Sequence, residues 1–314
     1  MRSKKISAVI ACYKDKQAIP IMHQRLTKVF KNIGIAYEII FVNNGSPDNT
    51  ADILRKIISK DSHAIGVNLS RNFSSQMAFT SGMEIATGDA IVLLDGDLQD
   101  PPELITKFYD KWLQGFDVVY GIRTKRDSSF FMKVAYKLFY RIFQKLSYIE
   151  IPLDAGDFSL IDRKIVNILK QFPERDRFLR GLRAWVGFKQ TGIPYTRHRR
   201  MFGKTTNNFI KNIQWAKKGI FSFSYAPLEW VSYIAGFVTI LSSFTILIYG
   251  VLYIFYGAPK GFLTILASIL FLGSIQLLSL SIIGEYIAKI FEEVKQRPKY
   301  IVKNIVRNSD TSKK

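Results

Sequence analysis

Short apolar runs alternate with longer amphipathic stretches through the first 120 residues. Ile6–Cys12, Tyr37–Val42, Ala64–Leu69, Ala90–Leu94 and Asp117–Tyr120 are compact and partly β-branched, as buried strands are. Between them, Ile19–Lys31, Thr50–Lys60, Ser75–Ala86 and Pro102–Gln114 carry the spacing of amphipathic helices. This rhythm predicts an α/β domain with a mostly parallel sheet. Ligands of such sheets bind beyond the carboxyl ends of the strands, so the polar residues just after each run are the first to weigh.

The pattern then changes. Trp230–Tyr256 is 27 residues without a charge, and Gly261–Gly284 is 24 more. At about 1.5 Å per helical residue, each is long enough for a hydrocarbon layer of roughly 30 Å. Four residues, Gly257–Lys260, separate them, which predicts a tight transmembrane hairpin. Lys217 and Lys218 precede it; Lys289, Lys295, Arg297, Lys299, Lys303 and Arg307 follow it. Positive flanks stay inside, so the large domain and both termini are expected to be cytoplasmic, in a protein that crosses the membrane twice. No signal peptide is read at Met1–Lys5. Phe209–Phe223 mixes Ile210, Ile213, Trp215, Ile220 and Phe221 with Lys211, Lys217 and Lys218, the composition of an interfacial helix. The expected division is 1–205 for the catalytic domain, 206–228 for the interfacial region, 229–256 and 261–286 for the spans, and 287–314 for a basic tail. From Asn304 onward the polar tail is expected to be disordered.

Charge narrows the partners. The chain has 45 Lys and Arg against 25 Asp and Glu, and 121–220 alone holds 22 against 7. That concentration, directly before the apolar hairpin, points to phosphate ligands and lipid headgroups. No base-reading module accompanies it, so nucleic acid is not an expected partner. The lone cysteine, Cys12, lies inside an apolar run and reads as a core residue. His23, His63 and His198 have no metal-ligand spacing.

The sharpest local feature is Leu94-Asp95-Gly96-Asp97-Leu98-Gln99-Asp100-Pro101-Pro102-Glu103, where a strand ends and a proline pair opens a helix. Asp95 and Asp97, with Gln99 as a further oxygen, can hold Mg²⁺ or Mn²⁺ while leaving positions open for nucleotide phosphates. Strand-end aspartates also cap helices, so the pair alone is a weak signal.

The surrounding motifs make it stronger. Asp95–Glu103, Ser70-Arg71-Asn72-Phe73, Gly156-Asp157-Phe158, Ser222-Phe223-Ser224 with Pro227-Leu228, and the C-terminal hairpin together resemble family-2 glycosyltransferases acting on polyprenyl phosphates. The bactoprenol glucosyltransferases and dolichol-phosphate mannose synthases are of this type. The resemblance implies a GT-A fold, a divalent metal, and inverting transfer of one hexose from a nucleotide sugar to undecaprenyl or another polyprenyl phosphate. It further implies a homo-oligomer in the bacterial inner (plasma) membrane, supplying cell-envelope glycans.

Position by position, it assigns Asp95, Asp97 and Gln99 to metal and donor diphosphate. Tyr13 and Asp15, with Asn44 and Ser46, fall where the family cradles base and ribose. Asn44 stands in place of the usual aspartate, and Lys14-Asp15 in place of Asn-Glu. The base is therefore open: UDP-glucose is the favoured donor, with UDP-galactose, UDP-GlcNAc and GDP-mannose as alternatives. Asp157 occupies the position of a catalytic base or acceptor organiser. A phosphate monoester has its second pKa near 6, so such an acceptor needs positioning more than deprotonation. Arg123, Arg126, Arg197, Arg200 and Lys204 supply the counter-charge for two phosphate-bearing substrates; Arg200 belongs to the donor side and the other four to phosphate and acceptor. Thr206 and Asn207 replace the Lys and aromatic residue that usually follow. Arg175, Arg177, Arg180 and Arg183 read as a solvated or headgroup-facing charge run. A processive polysaccharide synthase would need a Gln-x-x-Arg-Trp motif and further spans, which are missing. A catalytically inactive membrane scaffold is the remaining alternative, suggested by Asn44 and Thr206.

Overall fold

A computed structural model describes residues 4–124, 155–198, 200–202, 221–224, 226–257 and 261–308. They fall into two compact units. The first comprises the described residues of Met1–Gln144, Ile149–Trp215 and Pro298–Lys314, the second those within Ala216–Arg297.

The first unit is built on one sheet of eight described strands: β1 (Lys5–Cys12), β2 (Ala36–Asn43), β3 (Ala64–Leu69), β4 (Ala90–Asp95), β5 (Val118–Arg123), β6 (Ala155–Asp162), β7 (Gln190–Tyr195) and β8 (Val302–Val306). Their order is β7-β5-β6-β4-β1-β2-β3-β8. β1 pairs in parallel with β2 and β4, β2 with β3, and β5 with β7. β6 runs antiparallel to both neighbours, and β8 antiparallel to β3.

Helices cover the sheet: α1 (Ala18–Ile33), α2 (Thr50–Ile58), α3 (Ser75–Ile85), α4 (Ile105–Leu113) after a 3₁₀ turn at Pro102–Leu104, α5 (Arg163–Gln171) and α6 (Leu179–Val186). The five strands and four helices read from periodicity all appear, with ends moved by three residues or fewer. β1 and β4 are buried along nearly their whole length because helices pack on both faces. Ile6, Ala8 and Ile10 join Ile19, Met22, Leu26 and Phe30 of α1 in the main core. On the other face α3 approaches β1 at Gly82, where an added Cβ would lie 2.2 Å from Val9; any side chain there would push the helix off the sheet.

The chain beyond the hairpin departs from expectation. Val302–Val306, including Asn304, form the edge strand β8 rather than a disordered tail. The second unit holds α7 (Ala226–Tyr256) and α8 (Phe262–Val294), both long and apolar enough to cross a membrane. α7 starts three residues before, and α8 continues eight residues beyond, the expected spans. Tyr286 of α8 donates its hydroxyl to the Ser224 carbonyl at 2.8 Å, and Lys289 reaches Ser222 at 3.3 Å. The Ser222-Phe223-Ser224 motif thus ties the start of α7 to the later half of α8. Of the expected interfacial region, 206–220 lies outside the described residues, as do Arg126 and Lys204.

Candidate active site

Four parallel strands end on one side of the sheet, and the polar residues after them converge. After β1, Lys14 takes a left-handed φ of 61°, which turns the chain so that Tyr13 N–H donates to the Asp15 carboxylate at 2.9 Å. After β2, Gly45 (φ 63°) lies against the Arg71–Asn72 backbone; a Cβ would fall 2.4 Å from the Arg71 carbonyl carbon, so only glycine fits. Ser46 Oγ accepts from Lys14 N at 3.1 Å, joining the two turns. Asn44 is buried: its amide donates to Asn72 Oδ1 at 3.1 Å, and its oxygen accepts from Phe73 N at 2.9 Å. The Ser70–Phe73 motif therefore braces the second turn. The Asn44 amide thus supplies a donor that a carboxylate would lack.

After β4, Gly96 N–H donates to Ala11 O at 2.9 Å and fixes the Asp95-Gly96-Asp97 turn beside β1. Leu98 has φ 61° and is buried; Asp97 Oδ1 accepts from Gln99 N at 3.1 Å. Gln99 ties this turn to the later chain through its own carbonyl, which accepts from His198 N at 3.1 Å, and its side chain, which donates to His198 O at 3.2 Å. That doubled contact delivers two cations. Arg197 lies 3.8 Å from Asp95 and 3.4 Å from Asp100, and Arg200 pairs with Asp15 at 2.8 Å.

Asp100 is fully buried, receives the Tyr195 hydroxyl, and lies 3.9 Å from Arg123 at the end of β5. Asp95 is held well above the ordinary carboxylate range by burial, then by the charges of Asp97, Asp100 and Asp157. Burial also raises Asp97 and Asp15. Among the described residues, no three His, Cys, Asp or Glu side chains group to hold a metal by themselves. The hard oxygens of Asp95 and Asp97, crowded by further carboxylates, nonetheless fit a divalent cation whose other ligands come from water or phosphate.

At the start of β6 the electrostatics invert. Asp157 is buried, but Arg180 of α6 donates to both its oxygens at 3.1 and 3.3 Å, and Gln76 of α3 donates to Oδ2 at 3.0 Å. Burial opposes its charge; Arg180, Arg183 and Arg123 outweigh that and hold its pKa below the ordinary value. Arg183 is itself buried, donating to Gly156 O at 2.9 Å and to the Ser159 hydroxyl, and burial lowers it to about 10.

The family-2 model for glycosyl transferases matches residues 7–169, a span that contains both aspartate sites. The chain belongs to glycosyl transferase family 2. It is 41% identical to an uncharacterised glycosyltransferase of Synechocystis, covering 96% of this chain and 95% of that one. It is 38% identical to a prophage bactoprenol glucosyl transferase homologue of Escherichia coli, covering 96% and 99%. Mannosyl-3-phosphoglycerate synthase from Rubrobacter xylanophilus is similar at 16% identity and a TM-score of 0.45, over 68% of this chain and 71% of that one.

This family-2 glycosyltransferase has the GT-A-like, mostly parallel sheet expected, with two apolar C-terminal helices long enough to cross a membrane. Tyr13, Asp15, Asn44, Ser46, Asp95, Asp97 and Gln99 all stand at adjoining strand ends, with Arg197 and Arg200 among them and Arg123 beside Asp100. The expectation for the 175–183 charge run is corrected. Arg180 and Arg183 enclose Asp157, and the buried Arg177 donates to Leu169 O and Phe172 O at the end of α5. A signal was present. Leu179, Leu182, Arg183 and Val186 have the spacing of one helical stripe, so Arg183 sits on an apolar face. Gln76, Asp100 and Tyr195 were given no role from sequence, since an isolated polar residue in a helix or motif does not announce its partner.

Proposed function

We propose that this glycosyltransferase moves one glucose from UDP-glucose, with inversion and with a divalent cation, onto undecaprenyl or another polyprenyl phosphate. The reading rests on one observation: Arg197 and Arg200, three residues apart, reach Asp95 and Asp15 on two neighbouring strand ends. Cations interleaved with carboxylates suit a ligand that is itself a metal-bound diphosphate. The E. coli relative, by its name a bactoprenol glucosyl transferase homologue, and the two apolar helices favour a lipid acceptor over a soluble one. Orientation follows the positive flanks, with the catalytic unit and both termini cytoplasmic in a bacterial inner membrane.

In this reading Tyr13, Asp15, Asn44 and Ser46 hold base and ribose. Asp95 and Asp97, with Gln99 alongside, would hold Mg²⁺ or Mn²⁺, which when bound supplies charge neutralisation for the departing diphosphate. Arg197 and Arg200 bind phosphate oxygens. An acceptor phosphate oxygen bonds to the anomeric carbon as the bond from that carbon to the diphosphate breaks, and UDP leaves. The acceptor is already largely a dianion near pH 7. Asp157, ionised and clamped, is then an organiser of Arg180 and Arg183 beside the acceptor rather than a base. Arg123, Arg126 and Lys204 complete the acceptor side, and a second copy of the chain is expected in the assembly.

The test is transfer by purified protein to undecaprenyl phosphate from labelled UDP-glucose, UDP-galactose, UDP-GlcNAc and GDP-mannose, each with and without EDTA. Label entering the lipid phase from UDP-glucose, and lost with EDTA, is expected. Folded protein that labels lipid from no donor would leave the inactive scaffold as the better reading.

A further inference from the structure

Three asparagines stand opposite one another on three adjacent strands: Asn43 pairs with Asn68 across β2 and β3, and Asn68 with Asn304 across β3 and β8. Their side chains form a directed run. Asn43 Nδ2 donates to Asn68 Oδ1 at 2.9 Å, and Asn68 Nδ2 donates to Asn304 Oδ1 at 2.8 Å. At the inner end, Asn43 Oδ1 accepts from Ser46 N at 3.0 Å, and Ser46 Oγ accepts from Lys14 N at 3.1 Å. Four hydrogen bonds thus join the edge strand to the turns after β1 and β2. A chain of amides in one sense polarises each member.

A second tie runs beside the first. Ser70 N donates to Ile301 O at 3.0 Å, just ahead of β8. Ser70 opens the Arg71–Phe73 loop that packs under Gly45 and bonds both ends of the Asn44 amide. Burial explains little of this, because β8 is exposed over Val302–Ile305. If coverage of the β3 edge were the only need, any strand-compatible residue would serve at position 304.

We infer that β8 positions the donor-nucleotide end of the site, with Asn304 as a positioning residue acting through Asn68, Asn43 and Ser46. This rests on the reading that the turns at 13–15 and 43–46 hold the nucleotide. The relay meets neither Asp157 nor Asp97 in the hydrogen bonds that compose it, so its effect falls on donor affinity and not on acceptor binding or turnover.

The experiment compares full-length Asn304→Leu, Asn304→Asp and Ser46→Ala with the unaltered enzyme, reading donor KM, acceptor KM, kcat, inhibition by UDP, and melting temperature. Asn304→Leu removes the acceptor of the Asn68 amide; donor KM and the inhibition constant of UDP are expected to rise about three- to tenfold, the worth of one hydrogen bond. Acceptor KM, kcat and melting temperature are expected to hold, since Asn304 is exposed. Asn304→Asp keeps an accepting oxygen and is expected to stay within about twofold of the unaltered enzyme. A donor KM unmoved by Asn304→Leu, while Ser46→Ala raises it, overturns the relay and leaves the nucleotide site intact. If Ser46→Ala is also silent, the nucleotide-site reading fails and the relay with it. A fall spread equally over kcat, both KM values and melting temperature would make β8 structural only.

Discussion

Asp95 and Asp157 lie on adjoining strands of one sheet, both recessed from water, and are treated in opposite ways. Around Asp95 stand Asp97 and Asp100, with Arg197 at 3.8 Å, and its carboxyl is pushed up. Around Asp157 stand Arg180, Arg183 and Arg123, with a neutral Gln76, and its carboxyl is pushed down despite deeper burial. Desolvation works against charge in both places, so the neighbours decide the outcome. In the proposed reading, a cluster short of cations would receive one. A carboxylate already compensated by guanidinium groups is built to hold them. In the proposed reaction, departing diphosphate and arriving phosphate would be served by opposite charge balances.

The largest expected effect comes from breaking the cation-poor side. Asp97→Asn should lower transfer about 10²–10³-fold while leaving circular dichroism unchanged. Activity within tenfold of the unaltered enzyme would remove Asp97 from the metal site and erase the contrast. On the other side, Arg180→Ala leaves Asp157 buried with a weaker partner set, at a cost of about 3 kcal/mol in unfolding free energy. Adding Asp157→Asn should return part of that loss, because the uncompensated charge goes with it; purely additive losses would mean the two do not interact.

Arg200→Ala should raise donor KM about tenfold with a smaller change in kcat. Unchanged kinetics would make it a surface charge. The smallest expected effect is a pH dependence. Asp157's native pKa lies below its ordinary value of about 3.8, so its ionisation contributes stability that is fully present above that value and lost as pH falls through the native one. The groups facing it are Arg180 and Arg183 from α6, Arg123 from β5 and Gln76 from α3. The denaturation-midpoint difference between the unaltered enzyme and Asp157→Asn should therefore shrink from about pH 5 to about pH 3. A difference constant over that range would mean the clamp is steric.

The parallel half of the sheet was legible because each of its strands is a plain apolar run ended by a turn. The rest hides for identifiable reasons. β6 alternates buried Asp157 and Ser159 with buried Phe158 and Leu160, so its polar positions mask a strand buried on both faces. β7 contains Gly192 and Pro194, residues that ordinarily argue against a strand. β8 has five residues, mostly exposed, and gains its place only from a partner 236 positions away. The Asp95–Asp97 turn and the arginines of 197–200 were visible as motifs, whereas the Arg180–Asp157 clamp depends on a long-range meeting that no local pattern encodes. Asn304 fell within a stretch whose polarity resembled that of a free tail.

The pairing of β8 with β3 also sets an order of assembly. A ribosome releases β1 through β7 first, then both apolar helices, and β8 only afterwards. Until then the outer edge of β3 carries unpaired N–H and C=O groups, the kind of edge that recruits strands from other chains. The sheet is therefore sealed after the apolar segments have left the ribosome, so closure of the catalytic unit waits on synthesis of the two apolar helices.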